Sequence, residues 1–337
     1  MERKSLCRAL GLAVASCVLL VGAGIASAGI TIKTVPVGDV GNAADYTGSG
    51  RVDYAYNIGK YEVTAGQYTG FLNAVGGVDT YGLYSTNMLR TDDGSGITQS
   101  GGGTVGNPYT YSVAPDFVNR PVNYVSWGDS ARFTNWLTNG QPRGAQNAST
   151  TEDGAYYLNG ATSNAGLLAV SRKAGWTWAV TSEDEWYKAA YYKGGGTNAG
   201  YWIYPTKNDS APGRDMADVS GNNANIAGVP YPIDSGKYTT IAGEFENSGS
   251  PYGTFDQGGN VWEWNEAIIG GDSRGQRGGS FLDDYGLRAV GRIDFNVPTY
   301  ERSFHGFRVS QVPEPASIAI LALGFTGMLA RRRGAGR

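Results

Sequence analysis

Apolar and polar residues alternate through Ile30-Thr31-Ile32-Lys33-Thr34-Val35, the period-2 rhythm of a half-buried strand, and Tyr54–Val63 reads as a second strand. The period then changes. Tyr68, Phe71, Leu72 and Val75 stand at i, i+3, i+4 and i+7, one stripe along a helix. Thr64 with Gln67 three residues on forms a capping box, each side chain satisfying a free backbone N–H of the first turn. Ser126 opens a second helix that puts Phe133, Trp136 and Leu137 on one face. Ser182 and Glu185 make another capping box ahead of Trp186, Ala189 and Ala190. Between these elements lie long stretches rich in Gly, Ser, Thr, Asn and Tyr, at about 77–118, 140–165 and 193–250. Their aromatics (Tyr109, Tyr111, Tyr201, Trp202, Tyr204, Tyr231) predict loops folded back onto the body, with an exposed aromatic platform as the alternative. Few regular elements and much ordered loop argue for an α+β domain. No internal repeat, Pro-rich linker or charge run divides residues 29–311.

The two ends read as addresses. Arg3, Lys4 and Arg8 precede an apolar stretch from Ala9 to Ile25, then Ala26-Ser27-Ala28, so residues 1–28 have the form of a secretory signal peptide. Val14-Ala15-Ser16-Cys17 loosely resembles a lipobox, but the apolar run continues past Cys17, which favours cleavage after Ala28. At the other end, Pro313-Glu314-Pro315 leads into an apolar segment, Ala316–Ala330, and then Arg331-Arg332-Arg333. Taken alone this is a short tail anchor with its arginines on the cytoplasmic side. The order of its three parts closely resembles the PEP-CTERM sorting signal of exported bacterial proteins, over residues 312–337. That resemblance implies an exosortase as processing partner and membrane contact through the C-terminal helix before cleavage. It also implies delivery to the cell envelope, the surface or extracellular polymer.

Composition narrows the chemistry. The 52 glycines follow no G-X-Y period, which excludes collagen and fits a fold with many tight turns. The formal charge of −3 conceals an asymmetry: outside the two basic ends the body holds 20 basic against 28 acidic residues. Such a body repels a phosphate backbone, and nucleic acid is not an expected partner. Both cysteines, Cys7 and Cys17, fall in the leader, so the body has no disulfide, thiolate metal site or cysteine nucleophile. His305 is the single histidine, which disfavours multi-His metal centres and most Ser-His-Asp schemes.

Residues 251–264 read Pro-Tyr-Gly-Thr-Phe-Asp-Gln-Gly-Gly-Asn-Val-Trp-Glu-Trp. By chemistry alone, Asp256, Asn260 and Glu263 are three oxygen ligands around a glycine pair, in a loop tight enough to turn carbonyls inward toward a hard cation. An ordinary glycine turn with a capping carboxylate is the plainer alternative. The Gly-Asn-Val-Trp-Glu-Trp string resembles the formylglycine-generating enzyme (sulfatase-modifying factor) family, whose fold is related to C-type lectin domains. Tyr61-Glu62-Val63-Thr64, Pro121-Val122-Asn123-Tyr124-Val125-Ser126-Trp127, Thr181-Ser182-Glu183-Asp184-Glu185-Trp186, Arg277-Gly278-Gly279-Ser280-Phe281 and Gly306-Phe307-Arg308-Val309 agree in order. The resemblance spans about residues 30–311. It implies a single domain of that α+β fold over 29–311. It also implies a structural Ca²⁺ on Asp256, Asn260 and Glu263 with a carbonyl of Gly258 or Gly259, and a second on Asn225, Ile226 and Asp234.

The family's copper ion is held by two cysteines, and their positions fall here on Asp283 and Arg288. Neither binds Cu(I), which prefers sulfur, so no copper is expected. The iron-dependent relatives need a histidine cluster that His305 alone cannot supply. Asp283, Asp284, Arg288, Arg292 and Asp294 then read as a surface ion-pair network or as a reused polar pocket, and His305 as a packed or surface residue. The expectation is a non-catalytic binding or scaffold module, with polysaccharide or a surface protein held by aromatic loop residues such as Trp202 and Tyr204. The alternatives are a sulfatase-maturing or other oxidoreductase with a divergent site, and a purely structural surface protein.

Overall fold

The computed structural model describes residues 29–283, 286–289 and 294–312. The leader (1–28) and the Pro-Glu-Pro tail from 313 lie outside the described residues, as do Asp284 and Arg292.

Strand β1 (Thr34–Val37) pairs antiparallel with β2 (Tyr56–Gly59), Thr34 opposite Gly59. Helix α1 (Ala65–Val75) follows, then the antiparallel hairpin β3 (Ile97–Ser100) and β4 (Thr110–Val113). Next come α2 (Trp127–Thr138), α3 (Asn164–Leu168), β5 (Trp178–Val180) and α4 (Glu183–Tyr191). The remaining strands are β6 (Trp262–Ile269), β7 (Ser273–Arg277), β8 (Asp294–Asn296), β9 (His305–Gly306) and β10 (Val309–Gln311). One sheet has the order β1-β2-β10-β5 and another β8-β7-β6-β9; in the latter only β6 and β9 run parallel. The fold is α+β, with few short helices and much ordered loop.

The helix starts follow the capping chemistry. The Thr64 hydroxyl accepts from Gln67 N–H at 3.2 Å and Gln67 Oε1 from Thr64 N–H at 2.9 Å. Ser182 and Glu185 repeat the device. At Ser126 the sequence reading found only half of it: Asp129 closes the box, accepting from Ser126 N–H at 2.9 Å. The stripes of α1 and α2 then meet, with the Phe71 ring 5.3 Å from Phe133 and 5.2 Å from Trp136 and Phe133 5.3 Å from Phe307. Each such fully buried ring contributes roughly 1.5–3 kcal/mol.

Both sequence-predicted strands are shorter than expected. Residues 30–33 join no ladder: Gln141 donates to Ile30 O and Gln67 to Thr31 O, each at 2.9 Å, and Lys33 O accepts a single backbone bond from Lys60 N–H at 2.8 Å. Ile30 and Ile32 still pack on the core, which is why they alternate. The second strand ends at Gly59, after which Lys60 O accepts from Phe255 N–H and Val63 N–H donates to Phe307 O. The 77–118 stretch contains the β3–β4 hairpin, whereas 193–250 forms no helix or strand. It is pinned from within by Asp218, which accepts from Asn223, Ser248 and the Asn247 backbone, all at 2.7 Å. Tyr111 and Tyr204 are buried, Tyr109, Tyr201 and Trp202 half-buried, and Tyr231 is exposed.

Candidate functional site

The glycine-rich turn before β6 is built by close backbone approach. Gly259 has φ +85°, and a Cβ there would lie 2.3 Å from the Asn225 carbonyl, so only glycine lets the 225 and 259 segments touch. Asn260, also left-handed at φ 61°, donates its N–H to Asn225 O and accepts from Phe281 N–H through its own carbonyl. Three loops are thereby stitched beside the start of β6.

The predicted calcium ligands do not come together there as a set. Glu263, fully buried, gives one oxygen to Arg308 Nε and the other to Arg308 Nη2, each at 2.6 Å, and accepts from Trp186 Nε1 at 2.7 Å. Arg308 also donates to the carbonyls of Gly59 and Phe255. A guanidinium of the chain itself thus neutralises Glu263. Asn260 Oδ1 accepts from Thr240 N–H at 3.0 Å and Asn225 Nδ2 at 3.2 Å. Asp256 Oδ2 accepts from Gly243 N–H at 2.6 Å, and burial pushes this carboxyl up to about 6. Gly258 packs against Pro205 and Leu287. As arranged, Asp256, Asn260, Glu263 and Gly258 do not fit one calcium ion. Of the second set, Asp234 is paired with Arg120, Asn225 Nδ2 donates to Tyr238 O at 2.8 Å, and the Ile226 side chain sits in a small cluster with Tyr204 and Leu287. Among the described residues no group of three or more His, Cys, Asp and Glu side chains is placed to hold a metal.

Asp283 is held in place. Its Oδ2 accepts from Trp262 Nε1 at 2.7 Å and from the Ser280 hydroxyl at 2.6 Å, and its N–H donates to Ser280 O at 3.0 Å. Arg288 is exposed and makes no ion pair with it. The expected ion-pair network is therefore corrected at Asp283, whose partners are an indole and a hydroxyl, and at Asp294, whose carboxylate accepts from the next backbone N–H.

Beside Asp283 lies a cluster of rings. Tyr231 stands edge-on to Tyr238 with centroids 5.2 Å apart, and Tyr238 to Phe281 at 5.3 Å. Burial, with Tyr238, Asp93 and Asp283 nearby, pushes the Tyr231 hydroxyl up to about 12. Arg214 is set against Gly228 close by, its guanidinium nitrogens buried without a hydrogen-bond partner. Tyr231 is one of the loop aromatics and Phe281 ends the Arg277-Gly278-Gly279-Ser280-Phe281 segment, whereas no motif marks Tyr238 or Arg214, which come from loops without periodicity. By contrast, Tyr204 is buried and Trp202 lies under Lys193 at 4.5 Å, which removes that pair as an open platform. His305 is a packed residue, enclosed by Trp264, Tyr300 and Phe304 with neither ring nitrogen hydrogen-bonded.

Residues 34–312 match the model of the sulfatase-modifying factor enzyme 1-like domain, and residues 311–333 match the PEP-CTERM protein-sorting motif. The chain belongs to the sulfatase-modifying factor family. Like other bearers of the PEP-CTERM motif, this family member carries an exosortase-processed signal for export to the bacterial cell envelope or surface. Solved structures similar to it include Treponema denticola variable protein 1, at 19% identity, covering 84% of this chain and 95% of that one with a TM-score of 0.49. CarF is similar at 21% identity, 84% and 99% coverage and a TM-score of 0.47. PvdO from Pseudomonas aeruginosa follows at 17%, with 84% and 92% coverage and a TM-score of 0.43. No curated protein matches the chain.

Proposed function

We propose that this sulfatase-modifying factor domain is a binding or scaffold module of the cell surface or extracellular matrix, in which the family fold is kept without its copper chemistry. One observation carries the reading. The chain has no cysteine after Cys17, and the first position of the family's thiol pair is a carboxylate fixed by Trp262 and Ser280. Copper(I) requires soft ligands, and an aspartate tied down by two donors supplies neither softness nor freedom to move. The Tyr231 ring, exposed and backed edge-on through half-buried Tyr238 by buried Phe281, supports a ligand role, because an exposed ring edged by polar groups suits the apolar faces and hydroxyls of a polysaccharide, or a surface protein.

The test is mass spectrometry of a Cys-x-Pro-x-Arg peptide incubated with the protein, copper and O₂, beside an active family enzyme as control. The peptide is expected to remain unmodified. Conversion to formylglycine would establish the oxidoreductase alternative instead. A glycan-array signal lost in Tyr231→Ala would place the ligand on that ring; a signal indifferent to that change would remove the ring from the reading.

A further inference from the structure

The side chain of Gln141 is only half satisfied. Its Nε2 donates to Ile30 O at 2.9 Å, while Oε1, buried, meets no donor, the N–H of Gly29 included. A buried amide oxygen without a donor carries the full cost of its lost hydration. The backbone beneath it is strained as well. Gln141 has φ 61° directly after Gly140 at φ 79°, and its N–H closes the end of α2 on Trp136 O at 2.9 Å. Glycine or asparagine is the ordinary residue in such a left-handed setting. The fold instead keeps a long side chain there, and its amide reaches the residue where the described body begins.

That residue is Gly29. A Cβ added to it would lie 2.5 Å from Gln141 Oε1, so glycine is what lets the amide oxygen come this close. The carbonyls of Ile30, Thr31 and Lys33 are each held by a donor, which fixes the segment from residue 30 onward. Gly29 itself is exposed and lines, with Gln141 and Arg143, a cleft of about 720 Å³ that leaves it room to turn.

We propose that Gln141 Oε1 is the seat of the α-ammonium group that cleavage after Ala28 creates on Gly29, so that removal of the leader completes the hydrogen bonding of the body. The inference rests on the reading of residues 1–28 as a secretory leader and is independent of the ligand role proposed above. Hydrolysis breaks the bond between the Ala28 carbonyl carbon and the Gly29 nitrogen. The water oxygen stays on Ala28 as part of a carboxylate, and both water protons go to the nitrogen, which ends with three N–H bonds and stays mostly protonated at pH 7. On a tetrahedral carbon, roughly a third of a turn about the Gly29 Cα–C bond carries the nitrogen into the place a Cβ would take. From there a small relaxation gives the about 2.7–2.9 Å of a charge-assisted bond. Before cleavage the nitrogen holds one hydrogen, in a plane fixed by the Ala28 carbonyl, and that hydrogen misses Oε1. The precursor is therefore the looser form, and the chain tightens at the place and time of its cleavage.

In the experiment the full precursor is exported from a bacterial host, purified in detergent and sequenced from its amino terminus, where Gly29 is expected first. Two chains with the complete tail are then compared by thermal unfolding, one starting at Gly29 and one keeping Ala28, which moves the ammonium a residue away. The Gly29 start is expected to melt a few degrees higher. Gln141→Met keeps the length of the side chain and removes its oxygen; it should lower both Tm values through the lost bond to Ile30 O and erase the difference between the two starts. If that variant does not fold, Gln141→Glu, which keeps an oxygen and sets a charge opposite the ammonium, should widen the difference. An exported chain that begins at any residue other than Gly29 overturns the proposal. So do equal Tm values for the two starts, a difference that survives Gln141→Met, or one that fails to widen in Gln141→Glu.

Discussion

His305 gives a prediction whose sign and size both follow from its surroundings. The ring is fully buried among Trp264, Tyr300 and Phe304, and burial, aided by the charge of Arg302, holds its pKa down at about 3. In the unfolded chain the same imidazole titrates near its ordinary value of about 6.5. Between those two values the unfolded state binds a proton that the folded state refuses, so stability falls as pH falls through this window. From pH 7.5 to 4.5 the unfolded imidazole passes two units below its pKa. At about 1.4 kcal/mol per unit, His305 withdraws about 3 kcal/mol. Other buried groups oppose it: Asp129 and Asp256 are pushed up to about 6 and Glu301 to about 8, mainly by burial, and these bind protons more readily when folded. The total pH profile therefore mixes both signs, and the histidine is isolated by difference. His305→Phe keeps a flat ring among the same neighbours and cannot titrate. Urea unfolding of both proteins at pH 7.5 and 4.5 should show the variant gaining about 3 kcal/mol on the wild type between the two conditions. Parallel losses in the two proteins would mean that His305 is protonated in the folded state, and the reasoning from its enclosure would be wrong.

Three further outcomes test the construction of the core. Arg308→Met leaves Glu263 buried without its cation and should cost about 3–5 kcal/mol in denaturant unfolding; adding Glu263→Gln should recover part of that loss, and no recovery would contradict the pairing. Gly259→Ala meets the Asn225 carbonyl at a positive φ, so thermal melts should show a loss larger than the roughly 1 kcal/mol typical of a point change; a neutral result would refute the close approach. Ser182→Ala removes the cap of α4 and should cost about 1 kcal/mol, read by urea unfolding; a neutral result would mean that the hydroxyl bond to Glu185 N–H does not matter.

Local chemistry was the legible part of the fold. Thr64 with Gln67 and Ser182 with Glu185 announce helix starts because a capping box is satisfied within four residues, and the stripe from Tyr68 to Val75 needs only a helical period. The strands were less legible: Ile30 and Ile32 alternate because they pack on the core, while the carbonyls of Ile30 and Thr31 are satisfied by Gln141 and Gln67, residues far along the chain. At the site, the missing thiols could be read by inspection. The partner of Glu263 could not, because Arg308 lies 45 residues away and is brought to it by the parallel pairing of β6 with β9.

The placement of β10 has a consequence for the handover of this protein at the membrane. The strand is hydrogen-bonded on both sides, to β2 and to β5, and its last residue, Gln311, already belongs to the segment matched by the sorting motif. Folded body and processing signal therefore share residues, with no slack chain between them. A protease that draws the tail toward itself pulls lengthwise on an interior strand, so the load is shared across two ladders at once and the sheet is not peeled from an edge. A domain tethered in this way can be completely folded before its tail is processed.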